Sequence, residues 1–382
     1  MYQYSSSHNA VFTKPDVRAK WIAQLDGRVN GGLAVVGNTI YVTSFDQHLY
    51  AIDLNSGHIR WKASTGNIVM STPVVADGIV VVGSGHDGFL ASDPTAQIWG
   101  RKSGDNVMAF DTKTGRMLWT FHTKGEDMAS PAIDGTRLVF ANGDLHAYGL
   151  DLRSGRPLWM RRLLGIDTMA STTIRSGVAY IGLCHNMPHF RRTLAVRTRS
   201  GHLVWSNPNG SCDASPAVDN GIVFVDGNDE RLNTPYATGG ADIVAAIDEA
   251  TGKTLWHHAS SPGPYTLVAS GEHAIAGTAT SGVLYQSIVN RNAVVAFDGR
   301  TGRELWRVQT SGPVKMSPIV TQGRVVFGDT AGVLYSVYRV NGDVLHTRSF
   351  KSPFSTSPPV IVGGTLLIAN GHSLLAMPWD DP

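Results

Sequence analysis

A chain of 382 residues with 32 Lys and Arg against 30 Asp and Glu sets up no strong overall field toward nucleic acid or an acidic membrane surface. A hydrophobic share of 42% excludes global disorder, and no run nears the roughly 18 apolar residues of a membrane-spanning helix. The two cysteines, Cys184 and Cys212, exclude a disulfide framework and a cysteine-based zinc site and allow one disulfide at most.

The opening residues, Met1-Tyr-Gln-Tyr-Ser-Ser-Ser-His8, lack the basic-then-apolar order of a signal peptide, and residues 1–16 read as an extension. A β-rich run follows around Lys20-Trp-Ile-Ala-Gln-Leu25, and then one unit begins to recur. It is an apolar pair, usually an Asp, a turn ending in Gly, three residues and a Trp. The copies are Ala51-Ile-Asp53…Gly57…Trp61, Ala109-Phe-Asp111…Gly115…Trp119, Gly149-Leu-Asp151…Gly155…Trp159 and Ala195-Val-Arg197…Gly201…Trp205. Then come Ala246-Ile-Asp248…Gly252…Trp256 and Ala296-Phe-Asp298…Gly302…Trp306. A degenerate copy, Ser336-Val-Tyr338…Gly342, carries His346 in place of Trp, and Trp21 is an anchor without an upstream half.

The anchors recur at a basal interval of about 40 residues. Within each interval lie two short Val/Ile-rich runs around a tight turn, such as Val74-Val-Ala-Asp-Gly-Ile-Val-Val-Val-Gly83. With the strands on either side of the Asp…Gly turn, each unit holds four antiparallel strands, a propeller blade. Residues 354–378 supply three strands of a last blade, and the N-terminal run within 17–26 supplies its fourth. The expectation is an all-β, eight-bladed β-propeller, one domain over residues 1–382, closed by pairing of its two ends.

The Ala-x-Asp-x-x-Thr-Gly-x-x-x-Trp unit resembles the tryptophan-docking repeat of quinoprotein propellers, the PQQ-like repeat family, across nearly the whole chain. The resemblance implies that each Trp packs on the repeat of the neighbouring blade. It also implies a periplasmic or secreted protein with its active site at the mouth of the central channel.

Four blades exceed the basal length. The insertions lie within Ser84–Asp105, Leu183–Arg192, Asp226–Asp242 and Ser260–His273, and all four emerge on one face. Long loops on a rigid scaffold are where binding residues gather, so this face is the expected site of a small molecule or of a protein partner. Aligning the blades on their small-Ser-Pro segments puts Asn30, Met70, Met128, Met169, Asp213, Ile275, Lys315 and Ser355 around the mouth. One step outward lie Val29, Val69, Asp127, Thr168, Cys212, Ala274, Val314 and Phe354.

Asp213, Lys315 and Asp127 are the candidate catalytic groups. A Lys and an Asp converging on an apolar mouth either do acid–base work or close the channel as an ion pair. Candidate ligand-binding residues are Asn30, Met70, Met128, Met169 and Ser355 of the ring. To these the loops add His86, Trp99, Arg101, His185, Tyr236, Tyr265 and His273. His185 and His189 flank Pro188, which argues against a helical metal pair, and no metal ligand set is assigned.

Three functions stay open. The family resemblance implies a quinoprotein-type oxidoreductase holding PQQ, with Ca²⁺ only if PQQ binds. The adjacent Cys-Cys pair of the large quinoprotein dehydrogenases has no counterpart, because Cys184 and Cys212 are far apart. The second is a non-catalytic BamB-like assembly scaffold. The third is a cofactor-free hydrolase similar to the tetrathionate hydrolases, with Asp213 as acid–base group. Cys184 and Cys212 project toward the same face from adjacent blades, which makes a disulfide geometrically plausible.

Overall fold

The computed structural model describes residues 19–85, 106–125, 127, 129–165, 170–183, 192–210, 215–227, 243–259, 277–288 and 292–379. These form thirty-two strands in eight antiparallel four-stranded sheets. Seven blades follow the chain, spanning 33–64, 74–122, 132–162, 173–207, 217–259, 277–309 and 319–349. The eighth takes three strands from the C-terminal end, Val360–Val362, Thr365–Asn370 and Ser373–Pro378, and its outer strand, Trp21–Gln24, from the other end. Trp21 pairs with Ala376 and Gln24 with Ser373. The expected closure of the ring is present.

The core lies between blades rather than within them. Tyr41, Leu49 and Val69 pack with Val80, Val82 and Phe110 across the first junction, and equivalent buried clusters fill every later one. The cluster of Val29, Ile40, Val42, Leu367 and Leu374 joins the eighth blade to the first. The side chains alternate along each strand, so both sheet faces are apolar and each blade needs a neighbour on either side.

The repeated turn shows why the Trp recurs. In the third blade Gly155 Nα donates to Asp151 O, and the Asp151 side chain accepts from Ser154 N and Ser154 Oγ. Such contacts hold the carboxyls of Asp111, Asp151, Asp248 and Asp298 below the ordinary aspartate range, the Ser or Thr hydroxyl being the largest cause. The turn ends in a Gly with positive φ, +68° at Gly201, against which the Trp159 ring of the preceding blade lies flat. Trp159 Nε1 donates to Thr198 O at 2.7 Å. Trp21, Trp61, Trp119, Trp205, Trp256 and Trp306 dock in the same way on the next blade.

His346 occupies the register of these tryptophans, opposite Ser336 as Trp306 is opposite Ala296. Its neighbour is the eighth blade, whose third and outer strands come from opposite ends of the chain. No turn connects them, so no glycine platform exists for an eighth ring. Seven docked tryptophans match seven connecting turns.

Candidate functional site at the channel mouth

Each blade's first strand lies nearest the axis, where first strands of successive blades approach one another. A hydroxyl ladder links them. Gly32 N donates to Thr72 Oγ1 at 2.9 Å, Thr72 N to Ser130 Oγ at 2.8 Å, Ser130 N to Ser171 Oγ at 3.3 Å and Ser171 N to Ser215 Oγ at 2.8 Å. Sequence reasoning used these Ser and Thr residues only to align blades. Their recurrence beside Pro was the available signal for this bracing role.

Two residues before each step stand the predicted mouth positions. Asn30, Met70, Lys315 and Ser355 are all half-buried at this rim. Ser355 and Asn30 meet across the closing junction, the Ser355 hydroxyl donating to Asn30 Oδ1 at 2.8 Å, while Thr356 Oγ1 donates to Asn30 O at 2.7 Å. Lys315 forms no hydrogen bond or ion pair with another described residue. A half-buried ammonium favours a neighbouring anion or hydrogen-bond acceptor, because burial strips part of its hydration.

The second row faces into the junctions. Val29, Val69, Val314 and Phe354 are buried, and Phe354 lies flat on Gly328 of the preceding blade. Asp127 shares this row at 2% exposure. Its Oδ1 accepts from Asn142 Nδ2 at 2.9 Å and its Oδ2 from Thr123 Oγ1. Buried carboxylates persist when hydrogen-bonded in this way, and the two bonds tie the entry of the third blade to Thr123 at the end of the second blade and to Asn142 just past the third blade's second strand.

Beside it, Asp144 accepts from the Tyr148 hydroxyl at 2.6 Å, and His146 Nδ1 lies 3.2 Å from Asp144 Oδ1. Burial, with the neighbouring carboxylates of Asp144 and Asp127, pushes the Tyr148 phenol well above its ordinary range. The Asp-x-His-x-Tyr pattern recurs at Asp46, His48 and Tyr50 in the first blade.

Asp213, Met128, Met169, His86, Trp99, Arg101, His185, Tyr236, Tyr265 and His273 lie outside the described residues, as do Cys184 and Cys212. The strands that flank the four insertions do fix where they attach. Three join second to third strands and the fourth joins an outer strand to the next first strand, so all attach on the mouth face.

A family model described as outer membrane protein assembly factor BamB matches residues 10–238 and 240–377. The chain belongs to this PQQ-like, BamB family. Among curated relatives, the tetrathionate hydrolase of Acidithiobacillus ferrooxidans is 28% identical over 91% of this chain and 72% of its own length. The outer membrane protein assembly factor BamB of Bordetella pertussis is 24% identical over 94% of this chain and 86% of its own. The BamB-family propeller also superposes on the quinohemoprotein alcohol dehydrogenase ADHIIG from Pseudomonas putida HK5. The TM-score is 0.71, with 14% identity over 96% of this chain and 77% of the other, a likeness of fold.

The described residues of this BamB-family mouth do not fit a calcium-bound quinone. Asp127 spends both carboxylate oxygens on Asn142 and Thr123, and Asn30 Oδ1 accepts from Ser355. Seven of the nine Trp rings, the flat surfaces on which a quinone would stack, are committed to blade docking. Among the described residues no group of three or more His, Cys, Asp or Glu side chains converges as a metal site.

Proposed function

We propose that the mouth face binds a small sulfur oxyanion of the tetrathionate class and hydrolyses it without a redox cofactor, in a protein exported from the cytoplasm. The observation that carries this reading is the 28% identity to a tetrathionate hydrolase along 91% of the chain. The half-buried Lys315, without a partner among the described residues, adds to it a cation suited to a dianion. In this reading Lys315 holds one sulfonate end, and Asn30 and Ser355 offer hydrogen bonds to its oxygens. Asp213, two blades from Lys315, takes the proton from the attacking water as the water oxygen bonds to the other sulfonate sulfur and that sulfur's S–S bond breaks, releasing sulfate and a disulfane monosulfonate. Export accords with the outer-membrane assembly role named for the BamB relatives.

The test is tetrathionate consumption by purified protein, with Lys315→Ala and Asp213→Asn beside it. Turnover is expected, with KM raised at least tenfold in K315A and kcat lowered about a hundredfold in D213N, the usual range for an acid–base group. Thermal unfolding with tetrathionate, and separately with PQQ plus Ca²⁺, completes the design. A ligand at about 100 times its Kd adds about 2.7 kcal/mol of stability. Stabilisation by PQQ and Ca²⁺ alone would overturn the hydrolase in favour of a quinoprotein. Absence of both turnover and stabilisation would leave the assembly scaffold named for the BamB relatives.

A further inference from the structure

The near-neutral total charge conceals a local imbalance. The turns on the face opposite the mouth carry an Asp in most repeats, but in the fourth blade that position is Arg197, and Arg199 follows two residues later. Both side chains are exposed, and neither has a hydrogen-bond or ion-pair partner among the described residues. Arg156 of the third blade's turn and Arg116 of the second extend the same arc. The turns of the second and third blades also hold Asp111 and Asp151, and those of the fifth and sixth hold Asp248, Glu249 and Asp298, so the fourth blade's turn is the one in this arc without a carboxylate.

Beside these arginines the outer strands expose apolar side chains. Leu158 is 41% exposed, Met160 63%, Leu203 42% and Val204 39%. Leu158 stands three residues past Gly155 and Leu203 two past Gly201, both at the end of the outer strand nearest the arginines. In the third blade the docked side of the outer strand is Trp159 and Arg161, the latter donating to Gly201 O at 3.1 Å. Strand alternation therefore turns Leu158 and Met160 away from the fourth blade. Unpaired arginines fringed by exposed aliphatic side chains have the chemistry of an interfacial membrane contact, in which cations meet lipid phosphates and apolar groups enter the headgroup boundary.

We propose that the edge of the second to fourth blades, on the face opposite the channel mouth, docks on an anionic bilayer surface and leaves the mouth pointing away from the lipid. The occupant is a lipid surface rather than an acidic protein because the apolar side chains are separate protrusions from successive blades. The proposal is independent of what the mouth binds.

Vesicle flotation with the intact protein tests it, comparing phosphatidylcholine vesicles with vesicles containing 30% phosphatidylglycerol (about a third anionic) at low and physiological salt. Binding is expected to the anionic vesicles alone and to weaken with salt. Arg197→Gln and Arg199→Gln are each expected to lower partitioning about fivefold, the equivalent of about 1 kcal/mol per charge. Leu158→Ser with Leu203→Ser should weaken the salt-resistant part. Both positions are exposed, and an unchanged melting temperature would show the variants folded. No binding to anionic vesicles would overturn the proposal, as would binding indifferent to R197Q and R199Q. Arginine-dependent binding to soluble polyglutamate without binding to vesicles would overturn it in favour of an acidic protein partner.

Discussion

Replacing Gly201 by Ala isolates what one tryptophan dock contributes. A methyl group built there would lie 2.5 Å from Trp159 Cε3, and the residue holds φ at +68°. The left-handed backbone alone costs Ala about 1–2 kcal/mol. Pushing the ring away also removes the Trp159–Thr198 hydrogen bond, about 1 kcal/mol, and much of the packing of a half-buried Trp, about 2 kcal/mol. The expected loss is about 4–5 kcal/mol. Gly221 is the control, since its φ is +78° and nothing lies within 4 Å of a built methyl, so Gly221→Ala should lose only the backbone cost of about 1–2 kcal/mol. Urea unfolding followed in parallel by fluorescence and far-UV circular dichroism reads the difference, about 3 kcal/mol, provided the two probes coincide. Equal losses in the two variants would refute the argument that the ring, rather than the turn's backbone, is what the glycine serves.

The aspartates of the turns titrate below the ordinary aspartate value in the folded state, so the unfolded chain binds more protons just under pH 4. Their contribution is complete above that pH and drains away as pH falls toward the folded value. Asp298→Asn should be less stable than the wild type at pH 6, with the gap narrowing as pH falls below the ordinary aspartate value, as a urea-midpoint series would show. A gap constant with pH would remove the carboxylate from the account. Because the eighth blade has no turn to receive a ring, His346→Trp should bring no stability, and a gain above about 1 kcal/mol in the same assay would contradict that explanation, a dock being worth about 3 kcal/mol.

Much of the architecture was written in the repeat. Six Gly…Trp spacings and the stranded Trp21 foretold the blades, and the incomplete strand sets at 17–26 and 354–378 foretold how the ring shuts. That worked because a docking contact repeats only where its partners repeat. The same logic explains what His346 concealed, since an absent turn leaves no residue to notice, and only the paired ends reveal why the eighth Trp is missing. At the mouth, alignment put Asn30, Met70, Lys315 and Ser355 at equivalent places in their blades. It put Asp127 in one row with Val29, Val69 and Val314 but did not foretell that this row is buried, or that Ser355 bonds Asn30, because side-chain direction depends on one residue of register. The inserted residues, His86 and Tyr236 among them, have no counterparts in other blades, and periodicity carries no information about them.

A row of repeats ordinarily has two ends, each with one unsatisfied neighbour, and unravelling can start at either. Four residues, Trp21–Gln24, abolish both ends at once by zipping onto Ser373–Ala376. The junction they close is also where Ser355 reaches Asn30 at the rim. Peeling that short strand away would turn a circle into a line and loosen the mouth in the same event, so the integrity of the site is tied to a latch on the outer wall of the ring.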